Sequence, residues 1–422
     1  MALDPKLRQR VVGHENDMVE LLSNLIKIPA LGPKNGGNGE VEKAKWLASF
    51  CESKGFKVEW FNAPCKDVTD GIRPNLLVRI QGTSSARRLW IMSHIDVVPP
   101  GNESDWKTPP FEPVLKDGRL YGRGSEDDQQ SLSAAFWAAM SILESDAKPT
   151  FDTNLLFVAD EETGSEFGIQ WMLKAHGSLF GKNDLILVPD GGDPKGECIE
   201  VAEKTLLWLK FTVHGKQAHG SMPYLGNNST RGVAKLTLML DDALHKKFPA
   251  KDRLFMPPES TFEPTKREAN VPNVNTLPGK DVFYFDCRIL PKYDPDAPLR
   301  LVREVVKRFE KQTKLKVRVE VVQHDKAAPP TATDADIVRR LQLALAETRK
   351  GIKPKVWGVG GGTVAAIFRR HGYPAAVWST YDELAHQPNE YCVVKNMVAD
   401  AVVYAHIMMQ PETLTTGRGG KR

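Results

Sequence analysis

Cysteine is scarce in this chain: five in 422 residues, at positions 51, 65, 198, 287 and 392, with no Cys-x-x-Cys pair. An odd, widely spaced set excludes a disulfide framework. An excess of one charge is also missing, since 57 Lys and Arg face 53 Asp and Glu, for a net of +4. So mild a balance argues against a nucleic-acid partner or an anionic membrane surface. No apolar run reaches the length of a membrane span, and the opening Met1-Ala-Leu-Asp-Pro-Lys6 has no signal-peptide core. Repeats and low-complexity tracts are lacking too. The expectation is a cytoplasmic protein with reduced thiols and a frayed terminus over residues 415–422.

What is present is an ordinary globular composition, 41% hydrophobic and 26% charged, in a length that suits two or three domains. Helical spacing of Met18, Leu21, Leu22, Leu25 and Ile26 predicts a helix over 15–28, and a second helix fits 39–54. Strands are expected at 56–60, 75–80 and 88–93, an Ala-rich helix at 130–145, and further apolar strands at 155–159 and 185–190. This alternation argues for an α/β sheet with mostly parallel strands. Near residue 203 the pattern changes. Half-exposed strands at 206–213, 282–290 and 315–322 enclose helices at 229–247 and 297–313, which suits an α+β unit with a sheet open on one face. The α/β pattern then resumes with helix 335–349, strand 355–358, a glycine turn at 360–362, strand 375–379 and helix 393–409. A smaller domain, 203–325, is therefore expected as an insertion between catalytic parts 1–202 and 326–422.

Polar residues gather where the larger domain's apolar strands end. The sharpest case is Leu155-Leu-Phe-Val-Ala-Asp-Glu-Glu-Thr-Gly164, a buried strand running into three carboxylates that repel one another unless a positive charge sits among them. In open α/β sheets, ligands collect at that end of the strands. His94, Asp96, Asp127, Asp128, Asp190 and His386 occupy comparable positions. Singly, His94 is more often a satisfied core residue and Asp190 a turn acid; their co-occurrence points to a cation. Two imidazoles with several carboxylates, and no cysteine nearby, suit zinc, with cobalt or manganese as alternatives. Three carboxylate ligands and a hydroxide nucleophile carry four negative charges, which two divalent ions neutralise. Asp96, two residues beyond His94, is placed to hold its ring from behind. Glu161 and Glu162, being adjacent, point apart, so that one can bind metal while the other faces substrate.

Five motifs, His94-Ile-Asp96, Gly122-Arg-Gly-Ser-Glu-Asp-Asp128, Asp160-Glu-Glu-Thr-Gly164, Pro189-Asp-Gly-Gly192 and His386-Gln-Pro-Asn-Glu390, resemble in order those of the M20 metallopeptidases and deacylases. The resemblance covers about residues 15–409. It implies a zinc-exopeptidase-like catalytic domain and an inserted ferredoxin-like lid and dimerisation domain. One metal would be held by His94, Asp127 and Asp190, and a second by Asp127, Glu162 and His386, with Asp127 bridging. Asp96 would orient His94, and Glu161 would be the general base. His219, in Gly215-Lys-Gln-Ala-His-Gly-Ser-Met-Pro223, would reach a neighbouring subunit's site to polarise the scissile carbonyl. Asn275, Arg288, Gly361 and Thr363 resemble substrate-binding positions. The implied activity is hydrolysis of an amide in a short peptide or N-acyl amino acid by a homodimer, with a deacylase as the near alternative. A binding protein that had lost catalysis would lack Glu161 or a ligand, and none is missing. Two departures bear on substrate preference: Gln129-Gln130 stands where many members have Lys-Gly, and Val364 where many have Asp or Ser.

Overall fold

The computed structural model describes residues 2–414, so the expectation for 415–422 lies outside the described residues. The chain divides into two compact units. One comprises the residues up to Val201, Thr331–Val356 and those from Thr363 onward; the other comprises Ala202–Pro330 and Trp357–Gly362. Among the described residues, no helix is long and apolar enough to cross a membrane.

The first unit is built on an eight-stranded mixed sheet. Its order is Val58–Pro64, Ile72–Ile80, Phe151–Val158, Ser84–His94, Leu185–Asp193, Ala375–Thr380, Cys198–Glu203 and Lys355–Val359. Parallel pairing joins the four central strands, from Phe151–Val158 to Ala375–Thr380. The pairs flanking them are antiparallel. Central strands covered on both faces carry continuous apolar runs, and Phe151–Val158 is buried at all but one position. Because these four strands run the same way, their carboxyl ends share one edge. His94 pairs with Val158 there, and the Asp160 turn, Asp190 and the segment after Thr380 follow at the same end.

Helices Gln129–Leu143 and Val394–Met409 pack against each other and are buried nearly all round, which explains why alanine is so frequent in both. Glu15–Ile26 buries the five residues whose spacing predicts it.

The second unit has a four-stranded antiparallel sheet, ordered Thr261–Arg267, Lys280–Ile289, Thr205–His214, Lys316–Asp325. The first six residues of Thr205–His214 alternate buried with half-buried. Its inward set, Leu207, Leu209, Phe211 and Val213, shares one core with helix residues Val233, Leu236 and Leu240 and with Val302, Val305, Val306 and Phe309. Those last four recur on one stripe of Ala297–Thr313, as an amphipathic helix requires. Within these two sheets, two strands escape sequence patterning. Thr261–Arg267 lies at an edge with Pro264 beside a register shift, and Cys198–Glu203 is buried at every position although two of its six residues are glutamates.

Phe211 sits at the centre of this core, stacked on Phe283 at 4.7 Å and edge-on to Phe285 at 5.9 Å. Phe211→Ala is expected to cost about 3–5 kcal/mol in urea unfolding, and a loss below about 1 kcal/mol would contradict the packing.

Candidate metal centre

The acidic turn is shaped before it can bind anything. Asp160 follows the central strand with φ of 65°, in the left-handed region, and Glu161–Thr163 form a single tight turn closed by Gly164 at φ 110°. Asp160 supports this backbone itself: its carboxylate accepts the Thr163 hydroxyl and the Phe167 N–H, the latter at 3.0 Å. Behind it, Arg73 lies 3.4 Å from Asp160 and pairs through two nitrogens with Glu40. Glu40 also accepts the Asp160 N–H at 3.3 Å. None of the three is more than 1% exposed. Asp160 is thus the structural member of the acidic triplet.

Asp96 ties the acidic turn to the His94 strand. Its Oδ1 accepts the Glu161 N–H at 3.0 Å and its Oδ2 the Glu162 N–H at 3.1 Å. The His94 ring meets Asp96 through the main-chain carbonyl, 3.0 Å from Nδ1, with the carboxylate 3.5 Å away.

The five expected ligands converge in the first unit. His94 Nε2 is 3.0 Å from Asp127 Oδ1 and 3.9 Å from Asp190 Oδ1. His386 Nε2 is 3.3 Å from Asp127 Oδ2 and 3.0 Å from Glu162 Oε2. Asp127 therefore turns one oxygen toward each imidazole, as a bridging carboxylate would. Donor atoms lie within 4.8 Å of one another in two groups, His94 with Asp127 and Glu162, and His94 with Asp128 and Asp190. Asp128 is a neighbour that the ligand expectation leaves out. It is buried beside His94 and Asp190. Its only signal in the sequence is its place beside Asp127.

The electrostatics follow from this crowding. Burial and then the charges of Glu162, Asp127 and Asp96 push Glu161 well above the usual carboxylate range. Burial and Glu161 do the same to Asp190. Burial and Asp127 raise Glu162 to about 7, and burial with Asp127 and Asp96 raises Asp128 to about 8. Asp127 is the exception: burial would raise it, but hydrogen bonds with His386 and His94 outweigh that and hold it low. His94 is raised against its own burial by Asp128 and Asp127, and bonds to Asp127 and Glu162 lift His386 to about 10. Two imidazoles do not balance so many acids. Divalent cations do, and this sulfur-free set of imidazoles and carboxylates fits them.

Of the expected substrate positions, His219, Asn275, Arg288 and Gly361 belong to the second unit and Thr363 to the first. His219 and Asn275 are neighbours in the second unit, where the short pairing of Ala218–His219 with Thr276–Leu277 leaves the His219 ring exposed, 2.8 Å from the Ser221 hydroxyl. Arg288 is gripped by Asp286 at 2.7 and 2.9 Å, and its Nη1 donates to the Gly360 carbonyl at 2.7 Å, anchoring the turn that holds Gly361. Thr363, in the first unit, accepts the Ala365 N–H at the start of a short helix.

Known proteins agree with this fold. Residues 90–410 match the model of peptidase family M20/M25/M40, and the chain belongs to that family. It is a metal-dependent hydrolase of mixed α/β fold. It is 38% identical over 408 residues to an uncharacterized metallohydrolase of Methanocaldococcus jannaschii, covering 93% of this chain and 98% of the relative. Against a succinyl-diaminopimelate desuccinylase of Pelagibacter ubique the identity is 25% over 397 residues, covering 92% and 97%. Human carnosine dipeptidase 1 superposes with a TM-score of 0.77 over 97% of this chain and 99% of that one, at 16% identity.

Behind the turn, Glu40 and Asp160 share the Arg73 guanidinium. Arg73→Met is expected to lower stability by about 3–5 kcal/mol, because it strands buried carboxylates. Chemical denaturation of the purified variant measures this, and a change within about 0.5 kcal/mol would refute the role given to the pair.

Proposed function

We propose that the chain is a dinuclear amidohydrolase, cleaving the amide bond of a short peptide or N-acyl amino acid. His94, Asp127 and Asp190 would hold one ion, and Asp127, Glu162 and His386 the other, zinc being the first choice. Such ions polarise a carbonyl and lower the pKa of an attacking water. The observation that carries the reading is the position of Glu161. Its main-chain N–H is held by Asp96 and its buried carboxyl is close enough to His94, Glu162 and Asp127 to be shifted by their charges, while the next residue, Glu162, meets His386. Burial and like charges raise this carboxylate well above its usual range, the direction that strengthens a proton acceptor.

In this mechanism Glu161 accepts the proton of the attacking water as its oxygen bonds to the carbonyl carbon. The same carboxyl then returns the proton to the departing amine as the carbon–nitrogen bond breaks. Asp96 keeps Glu161 and Glu162 in register by accepting both of their N–H groups. His219, supplied by the second subunit of a homodimer, would donate a hydrogen bond to the developing oxyanion. Arg288, pre-oriented by Asp286, is assigned to a substrate carboxylate together with Asn275, Gly361 and Thr363. Five buried free cysteines suit a cytoplasmic setting.

The second reading, an N-acyl amino acid deacylase, draws support from the desuccinylase relative. A panel of dipeptides, N-acetyl and N-succinyl amino acids, offered to zinc-, cobalt- and manganese-loaded protein, separates the two. Peptide turnover is expected to exceed N-acyl turnover, and chelation is expected to abolish both until metal is restored. Glu161→Ala should keep two ions per chain by elemental analysis while kcat falls about 10²- to 10⁴-fold. Turnover close to that of the unaltered protein would sink the assignment.

A further inference from the structure

The loops that carry the ligands are tied to one another in a way the ligand assignment does not use. Residues 381–390, which bring His386, are conformationally unfavourable. Glu383, His386 and Asn389 have φ of 63°, 64° and 63°, in the left-handed region that side chains disfavour. A segment like this keeps its shape through bonds from its surroundings. Two buried glutamates make those bonds in opposite directions.

Glu126, immediately before Asp127, accepts the main-chain N–H groups of Asp382 and Leu384, the latter at 2.6 Å. Glu390, four residues after His386, accepts the N–H groups of Gly124 at 3.1 Å, Glu126 at 2.8 Å and Asp127 at 3.1 Å. It also accepts Arg123 Nη1 at 2.6 Å. Glu126 is 2% exposed and Glu390 is fully buried. Each carboxylate thus grips the backbone of the loop to which the other belongs.

We propose that Glu126 and Glu390 form a reciprocal clamp that fixes the separation of Asp127 and His386. They are positioning residues for the ion held by Asp127, Glu162 and His386. The asymmetry between the two ions follows from what else secures each ligand. Asp127 is also braced by His94 at 3.0 Å and leads directly into the buried helix Gln129–Leu143. His386 projects a ring that is 57% exposed from a loop otherwise tied by hydrogen bonds at Tyr381, Asp382, Asn389 and the Glu390 carbonyl. Asn389 is bonded to the Lys107 N–H and the Asp105 carbonyl.

Glutamine is the informative replacement. A carboxylate can accept every one of these N–H groups, whereas an amide turns a donor toward donors and loses part of the set. At position 390 it also leaves buried Arg123 without its counter-charge.

The inference rests on the ligand assignment above, and calorimetric zinc titration of the metal-free full chain tests the two separately. Unaltered protein that binds fewer than two ions overturns the ligand assignment, and the clamp with it. Given two ions, Glu390→Gln and Glu126→Gln are each expected to keep one site within about two-fold of its original Kd. The other should weaken at least about ten-fold, the scale on which outer carboxylates act on metal sites. Raised zinc should restore kcat with KM unchanged. The double variant should lose less than the product of the single losses, because both side chains brace one pair of loops. Two undisturbed sites, equal weakening of both, or failure of either variant to fold would overturn the clamp.

Discussion

A buried carboxylate needs donors around it, and this fold places Asp96, Asp127, Asp128, Glu161, Glu162 and Asp190 around a pair of imidazoles. The cost of that crowding governs the rest of the first unit. Bringing arginine or lysine directly among the ligands would settle the charge, but it would also displace the cation. The protein instead keeps its cationic side chains one layer out. Arg73 faces Glu40 and Asp160, and Arg123 faces Glu390. Lys43, fully buried, is pushed down to about 7 by that burial, with Asp96, Glu40 and Glu390 opposing the shift.

Between those layers the work is done by main-chain N–H groups, which stabilise a carboxylate without carrying a full charge. Asp96 takes two of them from the acidic turn, Glu126 two from the His386 loop and Glu390 three from the Asp127 loop. The same contacts that satisfy buried acids therefore lock loops from distant parts of the chain into one geometry. Parallel pairing of the central strands makes this possible, since it delivers four strand ends, and the loops that leave them, to one edge of the sheet.

Much of this was legible before any coordinates. The helix over 229–247 is observed as Ser229–Lys247 and that over 297–313 as Ala297–Thr313. Both have long apolar stripes, and a stripe of that length has one comfortable conformation. Thr261–Arg267 was hidden because an edge strand with one wet face and a proline does not need an apolar pattern. That His94, Asp127, Glu162, Asp190 and His386 would gather was readable because each follows a recognisable strand or motif whose ends the sheet brings to one edge.

Residues whose role depends on a distant partner were not readable. Glu40 and Arg73 lie 33 positions apart, and Glu126 is 256 positions from the N–H of Asp382 that it accepts. Nothing local distinguishes such glutamates from solvated ones. The sequence by itself determined the kind of chemistry, because apolar runs and the ordering of His, Asp and Glu are properties of neighbours along the chain. Only the tertiary structure decided which acids gather around the imidazoles, which brace a turn and which hold a second loop. Those roles are set by burial and by hydrogen-bond donors that the fold brings from elsewhere.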